Sequence, residues 1–86
     1  MSLDHLRFEI DKIDDEIAPL LARRMALAAQ IAAAKRETGT PVFQPAREKV
    51  ILARLNAGID AQYRPALTII YEAIFRASRE MQEGLS

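Results

Sequence analysis

Apolar side chains recur along the first part of the chain at alternating intervals of four and three residues. This spacing is typical of one face of a long helix that packs against other helices. A helix with such a face is predicted for the N-terminal third of the chain. The row consists of Leu6, Ile10, Ile13, Ile17, Leu20, Leu27, Ile31 and Ala34.

A polar residue interrupts this row, because Arg24 stands where the next apolar residue is due. A second row near the C-terminus, from Leu67 to Met81, is interrupted in the same way by Ser78, and Gln82 follows one turn later. A buried polar group is costly unless it is paired. Interruptions in two packing faces therefore suggest that a small polar ligand is held between the helices.

Three helices account for the chain, and the fold class predicted is all-α, in a single domain over residues 1–86. The first helix starts at about Ser2–Asp4 and continues to Arg36. It ends before a Thr-Gly-Thr-Pro sequence at residues 38–41, where glycine suits a left-handed cap and proline blocks continuation. Interior Pro19 is unfavourable, but the apolar spacing passes through it in register. One kinked helix is therefore predicted instead of two.

The second helix is predicted to begin at Pro45, because proline suits a first turn. It stops at the Asn-Ala-Gly sequence of residues 56–58. The third begins near Pro65 and continues to about Gln82. No alternating apolar pattern indicates a strand.

The length of the first helix bears on assembly. About 33 helical residues extend roughly 50 Å, whereas a compact domain of this length has a radius of gyration near 12 Å. Two shorter helices from the same chain cannot cover such a helix. The sequence therefore predicts an intertwined homodimer of three-helix subunits, with an extended monomeric hairpin as the alternative.

Composition removes several classes of function. The chain has 86 residues, with 12 basic and 12 acidic side chains, no cysteine and one histidine. Balanced charge argues against a nucleic-acid partner, and the missing cysteines exclude disulfides and thiolate metal sites. No apolar run is expected to reach the roughly 20 residues that span a membrane. We expect a cytoplasmic protein with neither a metal nor a membrane partner.

The polar residues that interrupt the helices define a candidate binding site. Arg24 and Lys35 are eleven residues apart and share nearly the same helix face. Donors in the first turn of a helix favour anions, and the second helix opens with Arg47 and Glu48. Together with Ser78 and Gln82, this set suits a small dicarboxylate that carries a hydroxyl group. The alternative is that these are ordinary solvated surface charges.

Arg7 stands apart from this set. It is 17 residues before Arg24, about 25 Å away along the same helix. It cannot enter the site of its own subunit. In an antiparallel dimer it could enter the site of the partner.

Five motifs in order along essentially the whole chain resemble those of the all-α (type II) chorismate mutases. They are Leu-Arg-x-x-Ile-Asp-x-Ile-Asp at residues 6–14, Leu-Leu-x-x-Arg at 20–24, Ile-x-x-x-Lys at 31–35, Pro-Val-x-x-x-x-Arg-Glu at 41–48 and Ser-x-x-x-Gln at 78–82. The family fold is an intertwined homodimer of three-helix subunits. The resemblance therefore implies an isomerase that converts chorismate to prephenate in the biosynthesis of phenylalanine and tyrosine.

The resemblance also implies roles for residues. Lys35 and Gln82 would donate hydrogen bonds to the ether oxygen of chorismate, and Glu48 would accept one from its hydroxyl. Arg24, and Arg7 from the other subunit, would bind the carboxylates with help from Arg47 and Ser78. The reaction needs no cofactor and no metal. One departure concerns Gln44, where the family often has Asp near the substrate hydroxyl.

Other functions remain open on this scaffold. Isochorismate-pyruvate lyases and aminodeoxychorismate mutases share much of the same cation set. A non-catalytic regulatory dimer, paired with another enzyme of aromatic amino-acid synthesis, would keep the helices but could lose a donor. The presence of all four of Arg7, Arg24, Lys35 and Gln82 favours an active mutase.

Overall fold

The computed structural model describes residues 2–84 and consists of three α-helices. They are α1 (Leu3–Thr38), α2 (Pro45–Ala57) and α3 (Arg64–Gly84), with a short 3₁₀ helix (Ala61–Tyr63) directly before α3. Residues 2–84 contain no β-strand. The prediction of an all-α fold with a long N-terminal helix is confirmed.

Both ends of α1 are set by residues that the sequence singles out. The Ser2 hydroxyl accepts a hydrogen bond from the backbone N–H of His5 at 3.1 Å, as an N-cap serine should. Gly39 adopts a left-handed conformation (φ 71°), and its N–H donates to the carbonyl of Lys35. The helix passes through Pro19 without a break, which confirms one helix rather than two.

The segment between α2 and α3 differs from the prediction. Asp60 caps the short 3₁₀ helix by accepting a hydrogen bond from the backbone N–H of Gln62 at 3.5 Å. The sequence pattern predicts no element between residues 58 and 65, because a single turn of three residues leaves no periodic signal. The side-chain amide of Asn56 donates to the Thr68 hydroxyl at 3.2 Å and ties α2 to α3.

The buried core of one chain is small. Ala28 and Ala32 on α1 and Phe75 on α3 are its buried apolar residues among residues 2–84. Gln82 is buried beside them, with 6% of its surface exposed. The predicted α3 row from Leu67 to Met81 is half-buried. Within one chain, α1 thus packs through Ala28 and Ala32. Each directly follows a residue of the predicted row, Leu27 and Ile31.

The molecule is elongated, with extents of 54 × 25 × 16 Å and a radius of gyration of 15.9 Å. Ten large apolar side chains of α1 are exposed, including most of the predicted packing row. One chain therefore leaves the apolar face of its longest helix uncovered. These residues are Leu3, Leu6, Phe8, Ile10, Ile13, Ile17, Leu20, Met25, Leu27 and Ile31.

The same helix corrects one expectation. By length and composition alone α1 is long and apolar enough to cross a membrane, since its best 18-residue window has a mean hydropathy of 1.3. The expectation that no segment approaches this threshold was wrong. Buried core helices of soluble proteins and N-terminal signal sequences pass the same test, and 11% of this window is buried within one chain.

Candidate active site

A cavity of about 550 Å³ lies between the second half of α1, the loop before α2, the first turns of α2 and the second half of α3. This volume lies within the usual range for small-molecule sites. Seven of the eight predicted site residues line it: Arg24, Lys35, Gln44, Arg47, Glu48, Ser78 and Gln82. The remaining lining residues are Leu27, Ala28, Ile31, Thr40, Val42, Ile51, Phe75 and Arg79.

The cavity wall is strongly cationic. Four basic side chains line it, and within the described residues one carboxylate, that of Glu48, joins them. Apolar side chains such as Leu27, Ile51 and Phe75 form the rest of the wall. Charges act more strongly beside such low-dielectric walls than in water. The cavity therefore favours a small anion that also presents apolar surface.

The two polar interruptions of the helical rows converge here. Arg24 and Ser78 both line the main cavity and also a neighbouring space of about 70 Å³. The Arg24 guanidinium carbon lies 5.7 Å from the centroid of the Phe75 ring, a cation–π arrangement that fixes its position. The interruption of the α1 row thus places a half-buried cation at the helix interface.

Lys35 is held at the other end of α1. Its ammonium group donates to the backbone carbonyl of Val42 at 2.9 Å, which ties the last turns of α1 to the following loop. An ammonium group has three protons to donate, so this contact leaves donors for a ligand. The side chain is half-buried and lines the cavity.

Gln82 has an unfilled hydrogen-bonding position. Its side-chain oxygen is buried and has no hydrogen-bond partner among the described residues. A buried polar atom normally finds a partner, and Gln82 lies in the cavity wall. A ligand group that donates would pair with this oxygen, whereas an acceptor in the cavity would bind the side-chain N–H₂ of Gln82.

The first turn of α2 brings three predicted residues to the cavity. Gln44 is the N-cap residue but makes no capping hydrogen bond with its side chain, and its amide donates instead to the carbonyl of Pro41 at 3.0 Å. An aspartate would cap this end more directly. Arg47 and Glu48 follow in the first turn, and both line the cavity.

Arg79 is a residue of the cavity wall that the sequence pattern does not single out. It forms an ion pair with Glu48, with 2.5 Å between its Nη1 and Oε2 of the carboxylate. Its guanidinium carbon also lies 4.8 Å from the centroid of the Phe43 ring. Position 79 is three residues before Gln82 and shares its helix face, but the pattern gives no sign of the pairing with Glu48.

Arg7 is the predicted site residue that the structure does not bring to this cavity. It lies near the start of α1, is exposed, and is not part of the cavity wall. Arg7 lies about 25 Å from Arg24 along the same helix, which explains why it does not reach the cavity. A single chain therefore assembles every element of the predicted site except this arginine.

This arrangement can bind and orient an anion through fixed donors. No lining residue forms a hydroxyl–base pair of the kind that nucleophilic catalysis needs. The described residues also hold no cluster of three histidine, aspartate or glutamate side chains suited to a metal ion. Electrostatic stabilisation and positioning are the chemical resources that these residues supply.

Comparison with known proteins agrees with this chemistry. The family model described as chorismate mutase type II matches residues 6–83, nearly the whole chain. The chain belongs to this family.

Two relatives illustrate how the chorismate mutase fold is used elsewhere. The chain is 37% identical to a bifunctional chorismate mutase/prephenate dehydratase of Aquifex aeolicus, over 96% of this chain and 24% of that protein. It is 42% identical to a chorismate mutase of Methanocaldococcus jannaschii, over 63% of this chain and 54% of that protein. The chain thus spans about a quarter and about half of these two relatives.

Proposed function

We propose that this protein is a chorismate mutase, an isomerase that converts chorismate to prephenate in the biosynthesis of phenylalanine and tyrosine. Family membership supports the proposal. The observation that carries it is the cation-lined cavity. Seven of the residues that the resemblance implicates line it, including those that interrupt the two helical rows. A substrate with two carboxylates, a hydroxyl and an ether oxygen matches this set of donors and its single carboxylate.

The rearrangement asks little covalent chemistry of the protein. Chorismate rearranges within one molecule, in a pericyclic step that breaks the ether bond as a carbon–carbon bond forms. The site has to hold the substrate in its reactive conformation and stabilise charge that grows on the ether oxygen. No cofactor or nucleophile takes part in such a step.

Two donors are suited to the ether oxygen. Lys35 uses one proton in its contact with Val42, has two more to donate, and lines the cavity. Gln82 is buried in the cavity wall, and its side-chain amide nitrogen carries two N–H donors. Donors fixed before the substrate arrives need no rearrangement as charge develops, so both groups are assigned to the transition state.

The remaining residues bind the periphery of the substrate. Arg24, fixed against Phe75, is assigned to a carboxylate, with Arg47 and Ser78 beside it. Glu48 accepts a hydrogen bond from the substrate hydroxyl. Gln44 is assigned a lesser part, since its amide is engaged with Pro41.

The working unit proposed is a homodimer. The exposed apolar face of α1 runs along a molecule 54 Å long, and two antiparallel copies of α1 would cover each other's face. The same pairing carries Arg7 of the partner subunit toward the cavity that lacks it. A second copy of the chain would therefore bury the apolar face and complete the site.

Association with another enzyme of the aromatic pathway is also proposed. The Aquifex aeolicus relative is described as bifunctional, and this chain covers only 24% of it. Cytoplasmic localisation stays a prediction from the sequence.

A direct assay tests the proposal and separates the alternatives. Purified protein is incubated separately with chorismate, isochorismate and aminodeoxychorismate, and each product is identified by mass spectrometry. Prephenate formed from chorismate is the expected result. Salicylate and pyruvate from isochorismate, or rearrangement of aminodeoxychorismate alone, would replace the proposal with the corresponding activity. No turnover of any substrate would leave a non-catalytic dimer.

A further inference from the structure

Arg79 is a cation of the cavity wall for which neither the helical pattern nor the family motifs supply a role. It lies on α3, between the two predicted site residues Ser78 and Gln82. Unlike Arg76 on the same helix, which is exposed, Arg79 is half-buried. Its position in the wall calls for an explanation.

Two contacts fix the guanidinium group of Arg79. Its Nη1 pairs with Oε2 of Glu48 across the cavity margin, so that α3 is linked to the first turn of α2. The Phe43 ring, in the loop before α2, lies 4.8 Å from the guanidinium carbon. About a quarter of each ionised side chain is exposed, 29% for Arg79 and 23% for Glu48, so the pair is partly shielded from water.

These contacts leave one carboxylate oxygen available. Arg79 engages Oε2, whereas Oε1 of Glu48 receives no hydrogen bond from any residue in the range 2–84. A carboxylate free to rotate would lose orientation entropy each time it bound a hydroxyl. A carboxylate pinned through one oxygen presents the other in a fixed direction.

The geometry points to Arg79 as the positioning residue of Glu48: it holds the carboxylate through Oε2 so that Oε1 accepts the hydrogen bond of the substrate hydroxyl. This assignment rests on the proposed function, in which Glu48 recognises that hydroxyl. The Phe43 ring packs against the guanidinium group through a cation–π contact and holds it beside Glu48. Arg79 thus acts through Glu48 and not on the reacting atoms.

The assignment has a kinetic signature. The substrate hydroxyl is bound before and during the rearrangement, so a contact with it contributes to both states and its loss raises KM more than it lowers kcat. Replacing Arg79 with Gln leaves Glu48 in place but no longer held, so KM should rise roughly tenfold, less than the complete loss of a hydrogen bond to a charged group would cause. A merely structural lesion would reduce the active fraction and lower the apparent kcat at constant KM.

The test compares wild-type protein with Arg79→Gln, Arg79→Lys, Glu48→Gln and the double variant Arg79→Gln/Glu48→Gln. Arg76→Gln is the matched control, since it removes the same charge from an exposed position on α3. Arg79→Lys keeps a cation beside Glu48, so its KM should rise less than that of Arg79→Gln. In the Glu48→Gln background, removal of Arg79 should change KM by less than about twofold, because its partner is already neutral.

Two kinetic outcomes would overturn the assignment. One is an Arg79→Gln protein with the same KM as Arg76→Gln. The other is a double variant whose KM rises by the product of the two single effects, because Arg79 would then bind the substrate independently of Glu48. If Arg79→Gln does not fold, Arg79→Lys carries the comparison, with a KM between those of wild-type and Glu48→Gln expected.

A readout without substrate separates this inference from the proposed function. Thermal unfolding of the wild-type protein, Arg79→Gln, Glu48→Gln and the double variant measures the coupling between Arg79 and Glu48 directly. The loss in Tm of the double variant should fall short of the sum of the single losses. If the wild-type protein converts no chorismate, the proposed function is refuted, but the coupling between Arg79 and Glu48 can still be measured by unfolding. Additive losses would refute the pairing.

Discussion

At the residue scale, the cavity is defined by donors that reach it from separate helices. Lys35 is anchored by the Val42 carbonyl, whereas Gln82 is anchored only by its burial on α3. Gln82 lies in the cavity wall, and its side-chain amide nitrogen carries two N–H donors. Both side chains thus bring donors to the cavity for an acceptor atom of the ligand.

Removing either donor should reduce catalysis and leave the fold intact. Lys35→Ala and Gln82→Ala are each expected to lower kcat by roughly 100- to 1,000-fold, the usual effect of losing one donor to a developing oxyanion. Circular dichroism and steady-state kinetics on prephenate formation measure both quantities. Near-normal kcat in a folded variant would remove that residue from the transition state.

A carboxyl group at position 82 should make catalysis depend on pH. The wild-type amide donates a hydrogen bond at any pH, whereas the carboxyl group of Gln82→Glu can donate one only when it is protonated. The activity of Gln82→Glu should therefore rise as the pH falls and be lost as the carboxyl ionises. The pH profile of kcat, taken beside that of the wild-type protein, checks this. An unchanged profile would argue against donation from this residue.

At the element scale, the loop between α1 and α2 starts from a backbone conformation that favours glycine. Gly39 has a φ of 71°, and a Cβ built there would meet nothing within 4 Å. Any penalty for a side chain at this position therefore comes from the backbone and not from a clash. This loop carries Val42 and Phe43, the partners of Lys35 and Arg79.

Gly39→Ala should destabilise the protein by about 1 kcal/mol, through the left-handed conformation alone. For a domain of this size that corresponds to a fall in Tm of roughly 4–8 °C. Gly84→Ala is the matched control, because a Cβ there also meets nothing and no positive φ is involved. Equal Tm values for the two variants, measured by calorimetry, would contradict the backbone explanation.

The elements themselves could largely be predicted from the sequence. Gly39 marks the C-terminal end of α1 and Pro45 the start of α2, both by local chemistry that does not depend on the rest of the fold. The 3₁₀ helix before α3 was missed, since one turn leaves no periodic signal. Arg79 was missed because its role comes from Glu48, 31 residues away in sequence, and a contact of this kind follows from the packing of α2 against α3.

At the scale of the whole molecule, one chain contains too little core for its length. Ala28, Ala32 and Phe75 are its buried apolar residues within the described range, and ten large apolar side chains of α1 remain exposed. An exposed apolar row of this extent marks an interaction surface. The radius of gyration is 15.9 Å, against about 12 Å for a compact domain of this length, so the single chain is extended.

Pairing through this row predicts a dimer in solution. Sedimentation equilibrium should give twice the chain mass of 9.6 kDa. Ile13→Asp should shift the protein toward the monomer, because it places a charge within the apolar row. Ala22→Asp is the control, since Ala22 is also exposed and lies about 180° around the helix from Ile13. A monomeric wild-type protein, or equal effects of both variants, would exclude this interface.

Mixing two inactive variants tests most directly whether two copies of this chain build shared sites for chorismate. Arg7→Ala and Arg24→Ala should each be nearly inactive alone, because every site lacks one arginine. Unfolded and refolded together, they should form heterodimers in which one site holds both arginines, and prephenate formation should return to about one quarter of the wild-type rate under random pairing. Recovery to that level is the predicted result. Activity that stays at the level of the separate variants, in mixtures shown to contain heterodimers, would contradict it.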